Sequence, residues 1–85
     1  IMELNELRKQ IDKVDKQMAK LFEERMDIVK QIGNYKKEHN LPILDKEREN
    51  LVKEKNHQYI DNKDLLPLYD EFISHLMDLS KRNEK

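Results

Sequence analysis

Residues 4–38 read "LNELRKQIDKVDKQMAKLFEERMDIVKQIGNYKKE". Apolar side chains recur every three or four positions: Leu4, Leu7, Ile11, Val14, Met18 and Leu21, then Ile28, Ile32 and Tyr35. This heptad-like spacing predicts one long helix with an apolar seam. The seam skips a turn at residue 25, where Arg25 stands. Gly33 costs about 1 kcal/mol against Ala inside a helix, so its presence points to close packing there. A helix of about 35 residues spans about 52 Å, whereas a compact 85-residue chain has a radius of gyration of about 12 Å. One end must therefore protrude with its seam uncovered. The economical remedy is a second copy of the chain in a two-fold homodimer. A plain coiled coil would explain the seam equally well and would leave Arg25 unexplained.

Working outward, "HNLPILD" (residues 39–45) ends this helix. Asn40 can close it and Pro42 cannot continue it. Asp45 is a natural N-cap for a second helix, "KERENLVKEKNHQY". "IDNKD" (residues 60–64) is a turn signal. A third helix is expected from about Leu65, with Pro67 tolerated in its first turn. Its stripe is Tyr69, Ile73 and Met77, flanked by Phe72 and Leu76. The expected fold class is all-α: one domain over residues 1–85, one long and two shorter helices, forming an intertwined helical homodimer.

Composition supports this and excludes several functions. The 85 residues are 41% charged and 36% apolar, with one Gly and two Pro, a profile of long helices. Seventeen Lys and Arg balance eighteen Asp and Glu, so the basic excess of a general nucleic-acid binder is missing. Without Cys there is no disulfide framework, thiolate nucleophile or Cys-based metal site. The scattered His39, His57 and His75 make no ligand spacing, and no metal is expected. No apolar run approaches the roughly 20 residues of a membrane span, and no signal peptide is visible. A cytoplasmic protein is the expectation.

Polar residues interrupt the apolar stripes at several points. Arg25 and Lys36 lie eleven residues apart, about three turns, so they share a face with Val29 and Ile32 between them. Two inward-leaning cations about 16 Å apart suit the two ends of a small anionic molecule. Snorkelling at the seam edge is the bland alternative, the more so for Lys36. Arg8 lies about 25 Å from Arg25 along the axis and about 100° around it. It cannot share a pocket with Arg25 of its own helix, although an antiparallel partner's Arg8 could; alone it reads as a surface charge. Arg48 and Glu49 occupy the first turn of the second helix, where charge commonly serves capping and solubility. Ser80 and Glu84 continue the stripe of Ile73 and Met77, unless the helix frays there. No nucleophile–base pair or Gly-rich phosphate loop accompanies these groups.

The run from Leu4 to Glu49 carries L-R-x-x-I-D-x-x-D, then E-R, I-G-x-x-K and P-I-x-D-x-x-R-E. It resembles, without a gap, the all-helical (type II) chorismate mutases. "FISHLMDLSKRNE" resembles the last helix of that family, in which Ser or Asn is followed four residues later by Gln. Ser80 and Glu84 take those places if one residue is missing from the preceding turn; a competing register puts Leu76 and Ser80 there. The resemblance implies a homodimer with shared active sites and the Claisen rearrangement of chorismate to prephenate in phenylalanine and tyrosine biosynthesis, without cofactor or metal. It implies that Arg25, and Arg8 of the other chain, hold the substrate carboxylates. Lys36 would sit at the ether oxygen and one carboxylate. Asp45, Arg48 and Glu49 would surround the ring and its hydroxyl, and Ser80 and Glu84 would complete the site. Lys36, Glu84 and Arg25 are the expected catalytic groups. A pericyclic rearrangement needs no acid–base pair; it needs a dianion held in a reactive conformer and stabilised charge on the breaking bond. The other reading is a non-catalytic dimerisation or regulatory module, or a mutase of a chorismate analogue, for which the Glu at position 84 leaves room.

Overall fold

The structure, a computed structural model, describes residues 2–85. Helix α1 spans Met2–Glu38, α2 Lys46–Gln58 and α3 Leu66–Glu84. The described residues contain no strand.

The seam of residues 4–35 does form a single unbroken helix, and its end is capped as its sequence predicts. Asn40 takes a left-handed conformation, φ 54°. The Leu41 amide donates to the Lys36 carbonyl at 2.8 Å, and the Asn40 amide to that of Lys37 at 3.4 Å. These two reversed bonds satisfy carbonyls that a helix end leaves free. The turn fixes Lys36 in the last turn of α1. Asp45 then caps α2, its Oδ1 accepting from the Arg48 amide at 3.0 Å. Before α3 the chain makes one 3-10 turn, Lys63–Leu65, so α3 itself starts at Leu66. The Asn62 side chain accepts from the Asp64 amide and holds that turn.

Helix α3 runs beside the C-terminal half of α1 in the same sense: Arg25 meets Ser80, and Lys36 meets Glu84. The apolar core between them is small: Val29, Ile73 and Met77. Gly33 explains the close approach. A β-carbon there would sit 2.2 Å from the Glu84 carbonyl oxygen and 2.8 Å from its α-carbon. Only a residue without a side chain lets the end of α3 lie on α1.

Helix α2 buries no residue of its own and is tied to α3 by polar contacts. Tyr69 donates to Asn56 Oδ1 at 3.2 Å, and His57 meets Asp70. Burial pushes the Tyr69 phenol above its usual range against the opposing effect of Arg25, so Tyr69 stays a donor at ordinary pH.

The N-terminal half of α1 extends beyond this packing. The Cα radius of gyration is 16.2 Å and the longest dimension 57 Å, against about 12 Å for a compact chain of this length. Along that half Leu7, Ile11 and Leu21 are 55%, 58% and 63% exposed. The expected protrusion is present.

Candidate active site

Four stretches converge on one cavity of about 220 Å³. Helix α1 supplies Arg25, Val29, Ile32 and Lys36; the following turn supplies Ile43 and Asp45. Helix α2 supplies Arg48 and Glu49, and α3 supplies Met77, Ser80, Lys81 and Glu84. The shared face predicted for Arg25, Val29, Ile32 and Lys36 is therefore real, and it looks into a concavity.

The polar groups are tied to one another. Arg25 Nη1 donates to Ser80 Oγ, which donates to the Leu76 carbonyl at 2.6 Å. Arg25 is thus aimed inward by a buried hydroxyl on the opposite helix. Lys36 Nζ donates to Glu84 Oε1 at 2.7 Å and to the Ile43 carbonyl at 2.9 Å. Glu84 is only 6% exposed. An acid so buried needs a charged partner, and the Gly33 crossing brings it to one. Fraying at the end of α3 is overturned: Ser80 and Glu84 are buried polar residues on a continuous helix. Leu76 faces away, into an apolar groove.

Seven of the eight predicted positions line the cavity: Arg25, Lys36, Asp45, Arg48, Glu49, Ser80 and Glu84. Arg8 does not. It lies exposed on the protruding half of α1, as its distance along the helix requires. Sequence reasoning missed Lys81. Its Nζ lies 3.3 Å from Glu49 Oε2 and 3.6 Å from Asp78. Glu49 Oε2 is shut off from solvent without an aligned hydrogen bond, so the contact to Lys81 is one of charge. No spacing within α3 could have revealed it, because Glu49 belongs to α2. Among the described residues no group of three or more His, Asp or Glu could hold a metal ion, and no helix is long and apolar enough to cross a membrane.

A pocket walled by four cations and three carboxylates, with an apolar floor, is a site for a small polyanion held at several points. The profile of the type II chorismate mutases matches residues 7–85, and the chain belongs to that family. Relatives include the bifunctional chorismate mutase/prephenate dehydratase of Aquifex aeolicus, 38% identical over 88 residues, 94% of this chain and 24% of that protein. The T-protein of Haemophilus influenzae is 44% identical over 46 residues, 54% of this chain and 12% of the relative. The chorismate mutase of Methanocaldococcus jannaschii is 38% identical over 52 residues, 61% of this chain and 52% of the relative. The chain thus spans from about an eighth to about half of the length of these relatives. No solved structure matches at a significant level.

Proposed function

We propose that the chain is a chorismate mutase, rearranging chorismate to prephenate for the synthesis of phenylalanine and tyrosine. The observation that carries this reading is the convergence of Arg25, Lys36 and Arg48 on one small cavity, within a chain of that family.

The reaction breaks an ether bond and forms a carbon–carbon bond within one molecule. The residues have three tasks. Arg25, held by Ser80, grips a carboxylate in bidentate fashion and fixes the substrate's compact conformer. Lys36, held by Glu84 Oε1 at 2.7 Å, donates a hydrogen bond to the ether oxygen as negative charge grows there. Asp45, Arg48 and Glu49 hold the ring side, with the Asp45 carboxylate already fixed by its cap bond to Arg48's amide. Buried Val29 gives the cavity an apolar side, against which a charge contact is worth more than in open water.

The site works as a pair in a homodimer. A groove of about 890 Å³ between the protruding half of α1 and α3 is lined by Met18, Leu21, Phe22, Phe72, Leu76 and Leu79. A second copy's α1 is its occupant, and that copy's Arg8 reaches the cavity that this chain's Arg8 cannot. Fully burying a Leu or Ile contributes about 1.5–3 kcal/mol, so half-exposed seam residues gain roughly 1 kcal/mol each. A dozen of them across two copies offset an association cost of about 4–15 kcal/mol.

The test is spectrophotometric loss of chorismate with purified protein. Turnover is expected, with Arg25→Ala and Lys36→Ala each losing most of kcat/KM, several kcal/mol of transition-state binding, while circular dichroism shows them folded. A folded wild-type protein that leaves chorismate untouched would overturn the reading in favour of a non-catalytic helical module.

A further inference from the structure

The cavity wall carries Arg25, Lys36, Arg48 and Lys81 against Asp45, Glu49 and Glu84. Four cations against three acids leave one positive charge when all are ionised. Arg8 of a second copy would raise this to two, the charge that matches a dicarboxylate. Lys81 is therefore needed for the match, and its place is specific. It rises from the position after Ser80 to reach across to α2, where Glu49 is 16% exposed and has an oxygen sealed from water. A carboxylate in that position, left bare, would repel a dianion entering beside it.

We propose that Lys81 is a positioning residue that sets the affinity of the site for dianions: it pins and neutralises Glu49 on the cavity wall. The inference rests on the mutase reading for its substrate. It predicts that the charge at position 81 acts on binding and leaves the rearrangement itself unchanged, because Lys81 is paired with Glu49 while Lys36 and Glu84 are paired with each other.

The experiment is a charge series, Lys81→Arg, Lys81→Met and Lys81→Glu, followed by kinetics and by calorimetric titration with chorismate. KM and Kd are expected to stay near wild type for Lys81→Arg, to rise about tenfold for Lys81→Met and to rise further for Lys81→Glu, with kcat within about twofold throughout. Added salt should raise KM less steeply in Lys81→Met than in wild type, since one attractive charge is gone. In addition Lys81→Met/Glu49→Gln should melt above Lys81→Met, because the buried acid no longer lacks its partner. KM and Kd indifferent to the charge at position 81 would overturn the proposal, as would a loss confined to kcat or a double variant melting no higher than the single one. Wild-type protein that binds chorismate without converting it would defeat the mutase reading alone, and the Kd series would still decide the role of Lys81. Wild-type protein that fails to bind chorismate would defeat both.

Discussion

Glu84 carries the sharpest prediction at the scale of a residue. Its carboxylate accepts from Lys36, and an ionised carboxylate has no hydrogen for an ether oxygen. An amide at this position would donate to that oxygen, where the carboxylate opposes the charge growing on it. Glu84→Gln carries an amide donor at every pH. It should raise kcat/KM near neutrality, as steady-state kinetics of the two proteins would reveal; equal values would remove Glu84 from the ether oxygen. Much of this site was legible beforehand. Arg25 betrays itself by filling a turn of an apolar stripe, Lys36 only by sharing its face, and Ser80 and Glu84 by continuing one. Those are periodicities within one helix, which a sequence displays directly. Lys81 was illegible because its meaning lies in a carboxylate on another helix, and such a meeting depends on how helices cross.

Between elements, that crossing is decided at Gly33. Replacing it with Ala would gain about 1 kcal/mol of helix propensity. The new methyl group would meet the backbone of Glu84, at 2.2–2.9 Å, and backbone cannot step aside as a side chain can. Overpacking costs about 1–3 kcal/mol or more, so the clash wins. Gly33→Ala should lower the melting temperature and depress activity further than the loss of folded protein accounts for, because the end of α3 carries Ser80 and Glu84. A variant as stable and active as wild type would show that α3 does not press on α1. The helix ends themselves were readable, since Asn40 and Asp45 each perform a local backbone task. The start of α3 was read one residue early, where a 3-10 turn stands in for the first helical residue.

For the whole molecule, the uncovered seam and the stranded Arg8 lead to one expectation about assembly. Sedimentation at micromolar concentration should give twice the 10.4 kDa chain mass. Arg8→Ala and Arg25→Ala, each inactive alone, should regain activity when unfolded and refolded together. In a mixed dimer one site collects both defects and the other is intact. A fully active monomer, or no recovery on mixing, would deny a site shared between chains. The length of α1 was legible from its unbroken seam; the groove beside α3 was not, because it needs two helices to exist. The meeting of Gly33 with Glu84 also sets an order of events in time. Helices of this kind form within about a microsecond from local contacts. Closing a chain segment of some fifty residues to bring the two ends of the cavity together waits on a rarer encounter. In refolding, helical circular dichroism should therefore return before the cavity can hold a ligand, and the candidate site is the last part of the molecule to come into being.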